Sequence, residues 1–132
     1  MATILIVDDN ESLRGFLCRI VEKAGHRAVT ARNGIEAIEC VERESVELVI
    51  SDIFMPESDG VELIRNLKKL RTGIKIFAVS GGGKFGDMDA LQAARLCGAL
   101  RIFIKPFSTD DMISAIREAV GDPAEPPNPH AS

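Results

Sequence analysis

Two hydrophobic periods alternate along this chain, and that alternation limits what it can fold into. Ile4-Leu5-Ile6-Val7, Leu48-Val49-Ile50 and Ile76-Phe77-Ala78-Val79 are apolar almost without a break. Between them lie longer stretches in which apolar residues return every three or four positions, as in Leu13, Phe16, Leu17, Ile20, Val21 and Ala24. Short unbroken runs rich in Val and Ile fit strands buried on both faces. The longer stretches fit helices with one apolar face. Parallel strands need a crossover between them, usually a helix, so strand–helix alternation points to an α/β fold with a mainly parallel sheet.

The pattern predicts strands over 3–7, 27–31, 47–51, 74–79 and 101–104. Helices are predicted over 11–24, from Asn33 through about 44, over 60–70, over about 88–97, and after Ser108. Gly25 stops the first helix. Asn33-Gly34-Ile35-Glu36 has the form of an Asn cap followed three residues on by Glu. Ser108-Thr109-Asp110-Asp111 opens the last helix, whose Met112, Ile113, Ile116 and Val120 face inward. For five strands the expected arrangement is a flavodoxin-like, doubly wound sheet of order 2-1-3-4-5 with five helices and right-handed crossovers. Its switch point lies between strands 1 and 3, at their C-terminal ends.

A chain of 132 residues suggests one domain. With 45% apolar but only 5% aromatic residues, and neither Trp nor Tyr, its core must be aliphatic. Residues 1–121 are expected to form the domain. Residues 122–132 hold four of the six prolines and little apolar bulk, and are expected to be a disordered tail with no output domain after it.

Net charge of −4 argues against a nucleic-acid surface. No run reaches membrane-spanning length and no signal peptide precedes the first strand, so a cytoplasmic, non-membrane protein is expected. Cys18, Cys40 and Cys97 are widely spaced and unpaired, and read as small, buried, reduced residues on helices. His26 follows Gly25 in a turn and His130 lies in the tail; both are expected to face solvent. Gly81-x-Gly83-x-x-Gly86 has a dinucleotide-binding spacing. It follows the fourth strand rather than the first, and dinucleotide binding is set aside.

The polar residues that end the apolar runs carry the chemistry. Asp8 and Asp9 end strand 1, Asp52 ends strand 3, Ser80 ends strand 4, and Lys105, joined to Pro106, ends strand 5. In a parallel sheet all five side chains share one edge. At an effective dielectric of 20, two carboxylates 4 Å apart repel by roughly 4 kcal/mol, so one protonates or a cation compensates. An all-oxygen donor set with room for water suits Mg²⁺. An ammonium and a hydroxyl nearby suit an incoming phosphoryl group. One carboxylate could be the nucleophile, and Asp52, at the end of the central strand, is the best placed. Each residue alone has a plainer reading. Asp8-Asp9 could simply favour a helix N-terminus. Ser80 could be a turn residue and Lys105 a solvated surface lysine; the five together argue against these.

At these spacings the chain resembles the receiver domains of two-component response regulators, from residue 3 to about 120. The resemblance rests on the acidic pair after strand 1 and on Asp52 with Met55-Pro56 and Asp59-Gly60 after strand 3. It also rests on Ser80, on Gly98-Ala99 before strand 5, and on Lys105-Pro106-Phe107 after it. It implies a phosphoacceptor signalling module rather than an enzyme with a separate substrate. Asp52 would accept phosphate from a histidine kinase or a histidine phosphotransfer protein. Mg²⁺ would be held by Asp9 and Asp52, by Asp8 through water, and by the Phe54 carbonyl. Ser80 and the Gly81 N–H would hold phosphoryl oxygens, and Lys105, its bond to Pro106 cis, would pair with the phosphate. The signal would leave through helix 4, strand 5 and helix 5 to a downstream partner. A monomer or weak dimer is expected.

Two positions depart from the family. Ile102 stands three residues before Lys105, where an aromatic is usual, so an aromatic rotamer relay is unavailable. Phe54 is bulky where polar residues are common. The loop Gly81-Gly82-Gly83-Lys84-Phe85-Gly86 is expected to be mobile. Two alternatives stand beside this reading. One is a phosphate-independent interaction module. The other is an Asp-nucleophile phosphatase of haloacid-dehalogenase type, which needs Asp-x-Asp after strand 1, whereas residue 10 is Asn.

Overall fold

In the computed structural model the described residues are 1–55, 58–80 and 87–121, without the side chains of 54, 55, 58, 59 and 87–91. The long strands are β1 (Thr3–Val7), β2 (Arg27–Ala31), β3 (Val46–Asp52), β4 (Lys75–Ser80) and β5 (Arg101–Ile104). The helices are α1 (Glu11–Lys23), α2 (Gly34–Arg43), α3 (Gly60–Leu70), α4 (Asp87–Leu96) and α5 (Thr109–Val120). The strands form one sheet of order β2-β1-β3-β4-β5, all neighbours parallel. This is the expected doubly wound sheet with five helices. A short antiparallel ribbon of Phe54–Met55 with Ser58–Asp59 follows β3.

Strand alternation divides the core in two. Leu5, Val7, Val49, Ile76 and Ala78 face α2, α3 and α4, with Leu63, Ile64, Leu67 and Ala94. Ile4, Ile6, Leu48, Ile50, Phe77 and Val79 face α1 and α5, with Leu17, Ile20, Val21, Met112 and Ile116. The sheet is thus covered on both sides, and its central strands can be apolar at nearly every position. Four of the six phenylalanines gather on the second face. Phe77 and Phe103 rings lie 5.4 Å apart, Phe103 and Phe107 5.8 Å, and Phe107 and Phe16 6.5 Å.

Capping sets the helix starts. Asn10, Asn33 and Ser108 each accept a hydrogen bond from the N–H three residues on. Glu36 does not close a box with Asn33. It turns outward, accepting from the Arg32 N–H and pairing with the Arg32 guanidinium at 3.0 Å. Gly25 ends α1 at φ 89°, a conformation in which a Cβ is disfavoured.

Three side-chain expectations are corrected. His26 is buried, not solvent-facing: Nδ1 accepts from the Ala2 N–H at 3.0 Å and Nε2 lies 3.1 Å from the Gly121 carbonyl oxygen. Its burial comes from the two ends of the folded chain closing over it. Cys97 lies in the turn after α4, and it and Cys18 are half-buried; only Cys40 is fully buried. Phe16 sits at the margin of the core, 37% exposed. The loop at 81–86 with Gly81, the tail at 122–132 and His130 lie outside the described residues. Among the described residues no helix is long and apolar enough to cross a membrane.

Candidate functional site

The site stands at the C-terminal edge of the sheet, where each strand's ladder runs one step past its neighbour. The Asp8 N–H donates to the Ala31 carbonyl at 3.1 Å, the Ile53 N–H to Val79 at 3.1 Å, and the Lys105 N–H to Ser80 at 2.9 Å. Backbone bonds therefore fix the site residues although they lie at strand ends. The Lys105-Pro106 peptide is cis.

Carboxylate oxygens of Asp8, Asp9 and Asp52 all lie within 4.8 Å of one another. Asp8 and Asp52 are buried and Asp9 is exposed, so the cluster opens on one side. One Asp8 oxygen accepts from the Asn10 N–H at 2.8 Å, while Oδ2 is buried with no partner among the described residues. Burial pushes the Asp8 carboxyl up to about 6. The Asn10 N–H and the Lys105 charge oppose that rise, whereas Asp52 and Asp9 add to it. An orphaned carboxylate oxygen facing two further carboxylates is what an oxygen-seeking divalent cation would satisfy, so the residues fit Mg²⁺. Ser80 is fully buried at the end of β4, and Lys105 is half-buried close enough to act on Asp8.

Structure and sequence thus agree on the placement of Asp8, Asp9, Asp52, Ser80 and Lys105 along one edge. Phe54 begins the short ribbon directly after β3. Ile102 packs among the residues on the α2–α4 face while Phe103 faces α1 and α5, as strand alternation requires.

Other residues shape the site, and of these only Gly60 belongs to a motif read in the sequence. Arg14 reaches from the second turn of α1 to donate to the Asp8 carbonyl oxygen at 2.9 Å. Ser51 is fully buried and its hydroxyl donates to the Asp52 carbonyl oxygen at 3.0 Å. A Cβ on Gly60 would lie 2.3 Å from the Ile53 Cα, so only glycine lets α3 begin against the residue after Asp52. Asn10 gives the weakest excuse for surprise, since an Asn opening a helix is a familiar cap.

The five-stranded 2-1-3-4-5 sheet thus carries converging carboxylates at its switch point, between the C-terminal ends of β1 and β3. The response regulator receiver domain family matches residues 4–117, and the chain belongs to that family. It is 32% identical over 115 residues to sporulation initiation phosphotransferase F of Bacillus subtilis (strain 168), covering 87% of this chain and 90% of that protein. It is also 32% identical to the response regulator receiver protein CpdR of Brucella abortus (strain 2308), over 89% of this chain and 96% of that one. Among solved structures, a receiver domain protein from Clostridium thermocellum superposes with a TM-score of 0.83 at 27% identity, covering 91% of this chain and 94% of that one. A CheY-like receiver protein from Methanospirillum hungatei JF-1 gives 0.81 at 29% identity, covering 89% and 92%. The chain is a receiver domain of two-component signalling.

Proposed function

We propose that Asp52 accepts a phosphoryl group from a phosphohistidine, supplied by a histidine kinase or a histidine phosphotransfer protein, and that the phosphorylated domain binds a downstream partner. The observation that carries this reading is the meeting of Asp8, Asp9 and Asp52 oxygens within 4.8 Å, with a buried Asp8 oxygen left unpartnered. Asp8, Asp9, Asp52 and the Phe54 carbonyl would hold Mg²⁺, which when bound neutralises the carboxylates and the entering phosphoryl oxygens.

Each residue then has one task. An Asp52 oxygen attacks phosphorus, the phosphorus–nitrogen bond breaks, and the electron pair leaves on the imidazole nitrogen. Lys105 offsets the charge on the transferred group, and the Ser80 hydroxyl and Gly81 N–H donate to its oxygens. Reaction with water later frees phosphate, so the domain acts on itself and turns over no separate substrate. The partner face is assigned to α4, β5 and α5. A shift between conformers requires that the phosphate bind one of them better. The setting is cytoplasmic, without nucleic acid or membrane, as a monomer or weak dimer.

The haloacid-dehalogenase alternative is not favoured. Its second carboxylate would fall at residue 10, where Asn10 caps α1 by accepting from the Leu13 N–H at 3.1 Å. The test is incubation with acetyl phosphate and Mg²⁺ followed by intact-mass measurement. Wild type is expected to gain one phosphoryl group and Asp52→Ala none. No adduct in wild type sinks the phosphotransfer reading and favours a phosphate-independent module; an adduct persisting in Asp52→Ala refutes the residue assignment.

A further inference from the structure

Ser51 is a hydroxyl in an aliphatic row. On β3 it pairs in register with Val7 of β1 and Ala78 of β4, and both belong to the apolar core on the α2–α4 side. Val49 and Ile53, two residues to either side, belong to the same core. Ser51 is fully buried there, and its hydroxyl donates forward to the Asp52 carbonyl oxygen at 3.0 Å. A position that asked only for a small side chain would be met by alanine, without desolvating a hydroxyl.

The bond acts on a peptide that is held elsewhere too. The same peptide unit's N–H, on Ile53, donates to Val79 at 3.1 Å. The Ile53 backbone that follows lies against Gly60 at a distance no Cβ would permit. Ser51 therefore holds the carbonyl end of the Asp52–Ile53 peptide while β4 holds its amide end. That peptide's orientation sets how the Asp52 Cα presents its carboxylate and how the chain enters Phe54.

We infer that Ser51 is a positioning residue for the cation and phosphoryl site, fixing the Asp52–Ile53 peptide so that the Asp52 carboxylate and the Phe54 carbonyl can share one Mg²⁺. This rests on the proposed Mg²⁺-dependent function, and deepens it. Partners that orient a metal's ligands are worth roughly tenfold or more in metal affinity.

The experiment is a Mg²⁺ titration of wild type, Ser51→Ala and Ser51→Thr. Binding is followed by backbone amide chemical shifts, alongside the metal-free melting temperature and the phosphorylation rate with acetyl phosphate. Ser51→Ala is expected to bind Mg²⁺ roughly tenfold more weakly. Its phosphorylation rate should recover at saturating Mg²⁺, and Ser51→Thr, which keeps the hydroxyl, should bind close to wild type. Equal weakening in both variants shows that side-chain volume matters, not the hydroxyl, and overturns the inference. So does unchanged Mg²⁺ affinity in Ser51→Ala, whatever its melting temperature. Wild type that binds no Mg²⁺ overturns the proposed function first, an outcome separate from either of these.

Discussion

The two edges of this sheet treat charge in opposite ways. At the C-terminal edge, carboxylates crowd together and a buried Asp8 oxygen lacks a partner. At the N-terminal edge, cations are joined to backbone carbonyls. Arg71 donates to Val41 and Glu44 at the end of α2, Lys68 to Ile74, and Lys75 to Ala119 at the end of α5. His26 is bonded there through both ring nitrogens. Cations at helix C-termini satisfy free carbonyls and complement the helix dipole. One edge is built for stability, and the other keeps unfavourable charge that a ligand can relieve. The first allows the second in a domain whose total stability is only on the order of 10 kcal/mol.

Substitutions can break that contrast. Gly60→Ala should have the largest effect, because its Cβ would meet Ile53 backbone that cannot yield; a loss of roughly 4 kcal/mol is expected in chemical denaturation. Phosphorylation of the remaining folded protein should fall as well. His26→Ala should cost roughly 3 kcal/mol, since it leaves a cavity and strands the Ala2 N–H and the Gly121 carbonyl. A melting temperature within error of wild type would refute the idea that this edge is a stabilising one.

At the site edge the sign reverses. The folded Asp8 carboxyl at about 6 stands above its ordinary 3.8. The native state therefore keeps a proton that the unfolded chain has released. Stability from this group is fully present below the lower value and is lost as pH rises through about 6. Asp8→Asn should remove that slope, raise metal-free stability near pH 7 by about 2 kcal/mol, and weaken Mg²⁺ binding. Denaturation at pH 4 and pH 7, with and without Mg²⁺, checks all three; an Asp8→Asn protein less stable than wild type at pH 7 would contradict the assignment. Lys75→Met keeps the aliphatic stem and loses only the bond to Ala119, so a decrease of about 1 kcal/mol is expected from the urea midpoint.

How legible each part was depends on the range of the interaction behind it. The strands and helices follow local periodicity, and α3 over Gly60–Leu70 matches the predicted 60–70. Asp8, Asp9, Asp52, Ser80 and Lys105 were legible because parallel strands bring their C-terminal ends to one edge, whatever the details of packing. His26 was not, because its surroundings are Ala2 and Gly121, at opposite ends of the folded chain. A histidine after a helix-ending glycine looks like a turn residue until both ends arrive. Phe16 faces the expected side, but its cover depends on Phe107, more than ninety positions away. Glu36 obeyed a local rule only in part, since Arg32 offered its N–H and a guanidinium together. Ser51 was not legible, because only its hydrogen bond to the Asp52 carbonyl separates it from a packing residue.

The imidazole of His26 has a topological consequence. It touches Ala2 on one side and Gly121 on the other, so the folded domain is almost a closed ring. A chain opened elsewhere and rejoined at this seam would need only a short connector, as circular permutation tolerates when termini lie close. The seam is at the edge remote from Asp52. Cargo attached to either end of the domain would therefore leave the phosphoacceptor edge clear for its donor.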